Sequence, residues 1–571
     1  MSTASTVSPV VVLKFGSSVL RTAADLPCVV SEVYRHIRMG EHVIAVVSAF
    51  AGVTDELLRA ARQWIPHPEE HALAAWVATG EIDAATQLTF ALERAGVPAT
   101  FLDPRDVSLR TRGERLNAEP ASVDVIRLQQ FIAQSSVIVV PGFFGFAEGH
   151  GIALLGRGGS DLTAVYLAQR LGARCVLVKD VDGLYESDPS SAGIRPQHFE
   201  AAHYDVALAV GGELVQAKAI ELARTTNQRL EIRAIGERAG TIIGPDESAV
   251  GPSYKPERLR VTLLGLGTVG RGVFEYMKAQ PERFEIVAIL VRNTHRHIAA
   301  GVPSELLITD PTVALSVTLS RQADVVIEML GGVDPAYRLS LGALAAGRAV
   351  ISANKELIAA HWETLSPYMT GPAPRLRCSA AVGGAVPMME LVGRLARHPG
   401  IQEIRGVVNG TCNFVLECVA QGIPFNEAVR EAQDQGYAEP DPSADLDGLD
   451  AARKIDILCR LAWGQAPTHI DVHGIRSVVQ NSSVGNQAHG GVRRLVVAVS
   501  RDRVARVEPI HLPETDYLAG TSGAENRLEV TTLDGVVHRI AGQGAGRWPT
   551  ATAILADLLD ASLARAARAP R

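Results

Sequence analysis

Short apolar runs recur along the first part of the chain, and helical periodicity follows the first two of them. The runs are VVVLKFG at residues 10–16, HVIAVVSAF at 42–50, SSVIVVPGFFG at 135–145 and CVLVKDVDGLY at 175–185. Runs of this length between helices are typical of buried parallel strands. Because ligands of such a sheet bind at the carboxyl ends of its strands, the polar residues that end these runs are candidate site residues.

A glycine-rich segment, LLGRGGSDLTA at residues 154–164, lies between the last two of these strands. Its glycines allow a ligand to approach the backbone closely, while Arg157 supplies a cation and Asp161 an anion at the start of a helix. Backbone amides at such a turn can hold an anionic ligand. The alternative is a structural glycine turn without a ligand.

The alternation restarts at residue 259 with LRVTLLGLGTVGRGVFEYM, in which a strand and a helix enclose Gly265, Gly267 and Gly270. This G-x-G-x-x-G spacing predicts a dinucleotide site. The amides expected to hold the pyrophosphate are those of Leu266, Gly267, Thr268 and Val269. The next strand ends with Arg292, where an NAD enzyme has an acidic residue. An arginine suits a 2′-phosphate, so NADP is favoured over NAD, and a surface arginine is the alternative.

Acidic residues crowd the segment GYAEPDPSADLDGLDAARK at residues 436–454. They precede an expected helix on which Asp450 and Lys454 stand one turn apart along the same stripe. Ala451 and Ile455, one residue further on, mark the buried face, so the pair is expected at the edge of the core. A lysine there can protonate an oxygen, and the acids suit a ligand with a positive amine. The alternative is a solvated ion pair.

Length and pattern predict an α/β protein of several domains. A chain of 571 residues exceeds one ordinary hydrophobic core, and the Pro/Gly-rich segment 246–258 is interpreted as a linker. We expect a first domain at residues 1–245, with a mostly parallel sheet between helices. A Rossmann domain at 259–377, completed by 530–571, and an α+β domain at 378–529 are expected to follow.

Composition and charge argue against several classes of function. The net charge is −7 at pH 7 without a basic block, so neither nucleic acid nor an anionic membrane is expected as a partner. The chain starts without a signal-peptide pattern, and no stretch approaches the roughly 18 apolar residues that span a bilayer. The 6 cysteines lack metal-binding or C-x-x-C spacing, which fits reduced thiols in the cytoplasm.

Residues 1–245 resemble the catalytic domain of aspartate kinases, which have the amino-acid kinase fold. The motifs occur in the family's order: KFG at 14–16, VVSAFAGVTD at 46–55, GE at 80–81, GRGGSD at 156–161 and DVDGLYESDP at 180–189. The resemblance implies that Lys14 stabilises the phosphoryl group transferred from Mg-ATP, which agrees with the need of this chemistry for positive charge. It implies that L-aspartate is held by Ser48, Thr54, Glu81 and Arg157. It places the nucleotide and metal near Ser160, Asp161 and Asp180.

Several motifs depart from the aspartate kinase pattern. The turn KFGSSV has a single glycine, Ala84 replaces the serine of GExxS, and Lys179 and Ser190 replace a threonine and a basic residue around VDG. Where the family has the lysine of GAKVLHP, this chain has Glu213, which repels a triphosphate unless a metal or Lys218 compensates. An active aspartate kinase and a degenerate domain that serves binding or assembly therefore both remain open.

Residues 259–571 resemble homoserine dehydrogenase over nearly their whole length. The motifs, besides the glycine fingerprint and the acidic segment, are ADVVIEMLGG, ALAAGRAVISANKELIA, CSAAVGGAVPMMELV, IRGVVNGTCNFVL and AGQGAGRWPTATAILADLL. The resemblance implies reduction of L-aspartate 4-semialdehyde to L-homoserine, with Lys454 as proton donor and Asp450 as its helical partner. The other residues that it assigns are Glu439 and Asp445 for the substrate amine and hydroxyl, Lys355 near nicotinamide and substrate, and Gly331 and Gly544 for the cofactor.

The same resemblance implies a monovalent cation, Na⁺ or K⁺, bound by the main-chain carbonyls of Val382, Gly384 and Val386. Ser379 stands where the family has a carboxylate ligand, so occupancy of this site stays open. Cys412 replaces the usual threonine of NGTTN and is expected to change only the packing.

Together these features predict a cytoplasmic fusion of an aspartate-kinase-like domain and an NADP-dependent homoserine dehydrogenase of threonine and methionine biosynthesis. The expected partners are small molecules: aspartate semialdehyde or homoserine, and L-aspartate. Fused aspartate kinases carry regulatory ACT domains between the two enzymes, and the segment 246–258 is too short for one. The resemblance implies a homo-oligomer, either a dimer or a tetramer. A fusion that acts on an aspartate analogue in a specialised pathway is the alternative.

Overall fold

The computed structural model describes residues 9–147, 151–187, 196–212, 214–237, 240–251, 258–476 and 491–566. The chain divides into two compact units, Met1–Pro256 and Glu257–Arg571. Among the helices in the described ranges, none has the length and apolar character needed to cross a membrane.

The first unit combines strands and helices in alternation. Its strands are β1 (Val10–Phe15), β2 (His42–Val47), β3 (Ala99–Phe101), β4 (Arg110–Arg112), β5 (Glu119–Ser122), β6 (Val137–Pro141), β7 (Phe144–Ala147), β8 (Gly151–Leu154), β9 (Arg174–Lys179), β10 (His198–His203), β11 (Leu230–Ala234), β12 (Thr241–Gly244) and β13 (Ala249–Gly251). Its helices are α1 (Leu26–Arg38), α2 (Val53–Trp64), α3 (Glu70–Arg94), α4 (Val125–Gln134), α5 (Gly159–Leu171), α6 (Tyr204–Val210) and α7 (Ala217–Thr226).

The four apolar runs at the start of the sequence form the centre of a nine-stranded sheet. The sheet has the order β13-β10-β12-β11-β9-β1-β2-β6-β3, and β9, β1, β2 and β6 are parallel neighbours. Their side chains are almost entirely buried, as expected for strands covered on both faces. Because these strands point the same way, their carboxyl ends meet at one edge, where Lys14, Ser48 and Lys179 lie.

Two features of the first unit complete or correct the expected pattern. The strands β5, β4, β7 and β8 form a separate four-stranded sheet. Residues 249–251, expected within the linker, instead form β13 and pair antiparallel with β10 at the edge of the large sheet. The sequence pattern missed β13 because an edge strand of three residues has no periodicity to detect.

Glycines set both ends of α5, the helix that carries Ser160 and Asp161. Gly158 at the N-cap and Gly172 at the C-cap have φ angles of 75° and 61° in the left-handed region, which glycine adopts without strain. A Cβ atom on Gly158 would also collide with the side chain of Gln216. The glycine segment is therefore needed for the turn itself as well as for any ligand.

The second unit contains the remaining elements. Its strands are β14 (Leu259–Leu264), β15 (Phe284–Leu290), β16 (Leu307–Ile308), β17 (Val325–Glu328), β18 (Ala349–Ser352), β19 (Leu376–Arg377), β20 (Ile401–Val407), β21 (His469–Val472), β22 (Val492–Ser500), β23 (Val504–Leu512), β24 (Glu525–Thr532) and β25 (Val537–Gln543). Its helices are α8 (Thr268–Lys278), α9 (His295–Ala299), α10 (Pro311–Ser320), α11 (Ala336–Ala345), α12 (Lys355–Ala360), α13 (Trp362–Leu365), α14 (Met388–Arg397), α15 (Gly410–Ala420), α16 (Phe425–Asp434), α17 (Ser443–Leu446), α18 (Leu449–Trp463) and α19 (Arg547–Ala566).

Two sheets organise this second unit. The first is parallel throughout, with the order β16-β15-β14-β17-β18-β19, which is the strand order of a Rossmann fold. The second has the order β21-β23-β22-β20-β24-β25 and is antiparallel except where β21 meets β23. One hydrophobic core runs from the Rossmann strands to α18 and the second sheet.

The C-terminal segment divides differently from the expected boundary at residue 530. Strands β24 and β25 pair with β20 and with each other, so residues 530–543 belong to the second sheet. Only α19 returns to the Rossmann layer, where it packs on α8, β17 and β18. The pattern placed the boundary too early because the alternation within a strand does not show which sheet the strand joins.

Candidate active sites

The pair Asp450 and Lys454 lies on α18 as predicted, but deeper than expected. Only 6% of Asp450 and 8% of Lys454 is exposed, which rules out a solvated surface pair. Lys454 Nζ lies 2.7 Å from Asp450 Oδ2. Lys355, at the start of α12, reaches the same carboxylate, with its Nζ 3.0 Å from Oδ1. One buried carboxylate therefore holds two ammonium groups.

The charges in this cluster stabilise one another. Burial alone would raise the pKa of Asp450, but Lys454 and then Lys355 outweigh burial and hold it well below its usual range. Burial would lower the pKa of Lys355, and Asp450 reverses this effect and raises it. The Asp450 carboxylate is therefore ionised and the Lys355 ammonium protonated at neutral pH.

Asn409 joins the acidic residues of the cluster and was not predicted from the sequence. It follows β20, and its Nδ2 donates to Asp445 Oδ1 at 2.7 Å and to Asp450 Oδ2 at 2.9 Å. Its Oδ1 accepts from the amide of Cys412 at 2.8 Å and so caps α15. The only sequence signal was a capping residue between a strand and a helix. That signal does not reveal that Asn409 donates to both Asp445 and Asp450.

Asp445 faces the cluster, whereas the side chain of Glu439 does not join its hydrogen bonds. The pKa of Asp445 is raised, first by burial and then by the charge of Asp450. Cys412 is buried and its Sγ donates to the Asp445 carbonyl oxygen at 3.1 Å, so the thiol does more than fill space. Glu439 is exposed, and its main-chain carbonyl accepts from Gln433.

The glycine fingerprint has the geometry that a dinucleotide requires. Gly265 has a φ of 104°, and a Cβ there would lie 2.7 Å from the carbonyl oxygen of Met329. A Cβ on Gly270 would lie 2.6 Å from the carbonyl oxygen of Gly265, so it allows the helix to approach the strand. Around Gly267 no atom lies within 4 Å of an added Cβ, which leaves open space for a pyrophosphate. Arg292 is exposed after β15.

A buried network that the sequence did not reveal supports the loop with Gly331. Glu328, fully buried at the end of β17, accepts from Ser352 Oγ at 2.6 Å and from the amide of Leu330 at 2.8 Å. Asn354 Nδ2 donates to the Gly332 carbonyl at 2.6 Å. Asn354 Oδ1 also caps α12, the helix on which Lys355 lies. The network therefore links the loop at the strand end to the lysine.

The loop expected to hold a cation lies against the final glycine turn. A Cβ on Gly384 would lie 2.7 Å from the carbonyl oxygen of Gly544. The carbonyl of Val386 accepts from the amide of Met388 at 2.7 Å. Ser379 stands where the family has a carboxylate ligand. Carboxylate oxygens of two other residues lie beside its hydroxyl, namely Glu390 Oε1 at 2.5 Å and Asp557 Oδ1 at 2.9 Å. Two carboxylate oxygens therefore lie beside position 379.

In the first unit, charged residues converge at the carboxyl edge of the large sheet. Lys14 Nζ lies 2.7 Å from Asp161 Oδ1, and Lys179 Nζ lies 3.3 Å from Asp161 Oδ2. Ser160 Oγ donates to Glu81 Oε2 at 3.3 Å. Burial raises the pKa of Glu81 to about 8 against the opposing hydrogen bond from the Ala49 backbone and the charge of Lys14.

The other residues assigned to this site differ in exposure. Ser48 follows β2, and its amide donates to the Phe15 carbonyl at 3.0 Å, whereas Thr54 lies in the first turn of α2. Arg157 and Asp180 are exposed on the glycine turn and after β9. Lys218 donates to Asn117 Oδ1 at 2.5 Å. Glu213 and Ser190 lie outside the described residues.

The second unit has the features of an NAD(P)-dependent oxidoreductase. A Rossmann sheet with an open glycine turn occurs in one compact unit with the buried ammonium group of Lys454, which can protonate a carbonyl oxygen. The first unit combines a parallel sheet and a glycine turn with a buried lysine at the carboxyl edge of the sheet.

Comparison with known proteins defines the families. The model of the amino acid kinase family matches residues 9–233, the NAD-binding domain of homoserine dehydrogenase matches 265–368, and homoserine dehydrogenase matches 387–559. The homoserine dehydrogenase of Synechocystis sp. is 33% identical over 318 residues, which cover 53% of this chain and 73% of the relative. That of Bacillus subtilis is 31% identical over 315 residues, covering 53% and 72%.

A solved structure of a homoserine dehydrogenase from Thiobacillus denitrificans is similar as well, at 31% identity and a TM-score of 0.49, covering 55% of this chain and 76% of that chain. The sequence identity and coverage of the relatives decide the assignment. The chain belongs to the homoserine dehydrogenase family, and its first unit is an amino acid kinase domain.

Asn409 provides a test of the bridged acidic cluster. We expect N409A and N409S both to lower kcat/KM for aspartate semialdehyde by roughly 10- to 100-fold, because neither replacement can donate to Asp445 and Asp450 together. Serine can still cap α15, so only N409A is expected to lose stability, by about 1 kcal/mol. Steady-state kinetics and thermal unfolding measure the two effects separately.

The exposed Asn426 on α16 supplies the matched control, N426A, which should leave both quantities unchanged. Normal kcat/KM in N409S would show that the cap alone accounts for Asn409.

Proposed function

We propose that the second unit uses NADPH to reduce L-aspartate 4-semialdehyde to L-homoserine at the Asp450 cluster. The observation that carries the proposal is the Lys454 ammonium, buried against Asp450 and beside Lys355. A bound nicotinamide supplies hydride to the aldehyde carbon, and a proton must reach the aldehyde oxygen.

Lys454 is suited to deliver that proton. Its ammonium donates to the Val408 carbonyl at 2.6 Å and pairs with Asp450 Oδ2 at 2.7 Å. An ammonium has three N–H donors, so one remains for the substrate oxygen while the other two fix its direction. In this proposal Asp445 binds the substrate amine, and Lys355 faces the substrate and the cofactor. The carbonyls of Val382, Gly384 and Val386 would hold the monovalent cation near the final glycine turn.

Replacing Lys454 tests the proton donor. We expect K454A to lower kcat for aspartate semialdehyde by about 10²- to 10⁴-fold, which is the usual contribution of a positioned acid. The loss of NADPH absorbance as the cofactor is oxidised measures the rate, and circular dichroism checks the fold. K278A, at an exposed lysine on α8, is the charge-matched control. A turnover of K454A near that of the wild type would remove Lys454 from the mechanism.

The NADP preference rests on Arg292, which is exposed directly after β15 where the adenosine ribose of a dinucleotide binds. We expect R292A to raise KM for NADPH by roughly 10- to 100-fold, because a charge-assisted bond to the 2′-phosphate is lost. KM for NADH should stay within about threefold, since NADH lacks that phosphate. Equal changes for both cofactors would contradict a contact with the 2′-phosphate.

We further propose that the first unit transfers phosphate from Mg-ATP to the side-chain carboxylate of L-aspartate. The convergence of Lys14 and Asp161 with Glu81 and Ser160 at one sheet edge supports this activity. In this proposal Glu81, Ser48, Thr54 and Arg157 bind the amino acid. The nucleotide and the metal lie near Ser160, Asp161 and Asp180, of which Asp180 is exposed just after β9. Glu213 is the feature that favours the alternative of a binding or assembly domain.

An acyl phosphate assay separates these alternatives. The purified chain is incubated with Mg-ATP and L-aspartate, and the product is trapped with hydroxylamine as the hydroxamate. We expect hydroxamate to form with aspartate and to be lost in K14M, because the charge that offsets the transferring phosphoryl group is removed. NADPH oxidation by the same preparation controls for intact protein. Dehydrogenase activity without hydroxamate would favour the binding or assembly domain, and a panel of aspartate analogues would then test a different substrate.

A further inference from the structure

Lys179 stands beside Lys14 at the carboxyl edge of the large sheet. In the parallel pair of β1 and β9, Lys14 is opposite Leu177. Side chains two residues apart on a strand point to the same face, so Lys179 shares the face of Leu177 and therefore of Lys14. Both ammonium groups reach Asp161 in the first turn of α5, at 2.7 Å for Lys14 and 3.3 Å for Lys179.

The three side chains form a buried group with an excess of positive charge. The exposed fraction of the side chain is 8% for Lys14, 8% for Lys179 and 4% for Asp161. Gly16 makes room for the cluster, because a Cβ at that position would collide with Lys14 Nζ. The ammonium of Lys14 alone balances the charge of the Asp161 carboxylate. The ammonium of Lys179 is therefore in excess of what charge balance at Asp161 needs.

The surroundings of Lys179 disfavour its charged form. Burial, followed by the charge of Lys14, lowers the pKa of Lys179 to about 8, although Asp161 acts in the opposite direction. The ammonium of Lys179 is therefore only partly compensated at Asp161, and an anionic ligand beside it would offset its charge. Asp161 lies in the first turn of α5, and the N-terminal end of a helix favours a negative ligand.

We propose that Lys179 is a second phosphoryl-binding lysine, whose ammonium flanks the γ-phosphoryl group of ATP opposite that of Lys14. This inference rests on the kinase activity proposed for the first unit. A carboxylate oxygen of the amino acid forms a bond to the γ-phosphorus as the bond from that phosphorus to the β-phosphate oxygen breaks. The electron pair leaves with ADP, and no proton is transferred. Two ammonium groups offset the negative charge on the transferring group.

A phosphoryl-binding role for Lys179 accounts for one departure from the aspartate kinase pattern. Lys179 occupies the position of a threonine in aspartate kinases, and the lysine of the GAKVLHP segment is replaced by Glu213. Relative to the family motifs, the chain has therefore lost one lysine and gained another, at the end of β9. In this proposal the second positive charge at the phosphoryl group comes from Lys179 at the end of β9.

Kinetics of Lys179 variants test the proposal. K179M removes the ammonium and keeps the length of the side chain, whereas K179R keeps the charge. R170M, at an exposed arginine in the last turn of α5, is the charge-matched control. The hydroxamate assay gives kcat and KM for aspartate, calorimetry gives Kd for Mg-ATP, and thermal unfolding gives Tm.

We expect K179M to lower kcat by at least about 100-fold, because a preorganised donor to the phosphoryl group is lost. KM for aspartate should change by less than about threefold, and K179R should restore at least about a tenth of the activity. R170M should match the wild type. A lowered Tm with unchanged kcat in K179M would overturn the proposal and leave Lys179 as a structural partner of Asp161.

The binding measurement keeps this inference separate from the kinase activity. If the wild type forms no hydroxamate, the proposed kinase activity fails, and the effect of K179M on Mg-ATP binding decides the inference. A Kd weakened by at least about 10-fold supports Lys179 as a phosphate ligand. An unchanged Kd, or no binding of Mg-ATP by the wild type, overturns it. K179Q replaces K179M in every arm if the methionine variant does not fold.

Discussion

The buried carboxylate of Asp450 is the group on which the arrangement of the dehydrogenase site depends. A charge with so little exposure is stable only when it is paired, and Lys454 and Lys355 provide the pairing from two different helices. Asn409 adds a third connection, from the turn between β20 and α15. The interaction thus ties α18, α12 and the second sheet together. The same contacts fix the direction of the Lys454 ammonium, so stability and catalysis rest on one ion cluster.

Much of this arrangement could be predicted from the sequence because its signals are local. Uninterrupted apolar runs identified the parallel strands of both units, and the glycine spacing identified the turn after β14. The pair Asp450 and Lys454 followed from the 3.6-residue helical repeat. These features depend on neighbours within a few residues of one another. Even here the burial of the pair was underestimated, because the periodicity of a single helix does not show what covers it.

The rest could not be predicted because it depends on residues far apart in the chain. Asn409 meets Asp445 and Asp450 only after β20 and α18 pack in one core, and Glu328 meets Asn354 only across parallel strands. The sequence placed residues 530–543 in the wrong layer for the same reason, since strand pairing is not local. In the first unit, the sequence shows Lys179 only as the replacement of a threonine, whereas the sheet register places it beside Lys14.

The most direct test of the central claim is kcat/KM for aspartate semialdehyde in D450N, measured from pH 6 to 10 (roughly the range over which lysine ammonium groups titrate). Asparagine keeps the shape of Asp450 but leaves two partly buried ammonium groups without their counter-ion. We predict a loss of at least about 100-fold at neutral pH and an earlier decline towards high pH, because burial lowers the pKa of Lys355 once the charge of Asp450 is removed. Activity within about threefold of the wild type, with an unchanged pH profile, would show that Asp450 does not organise the site.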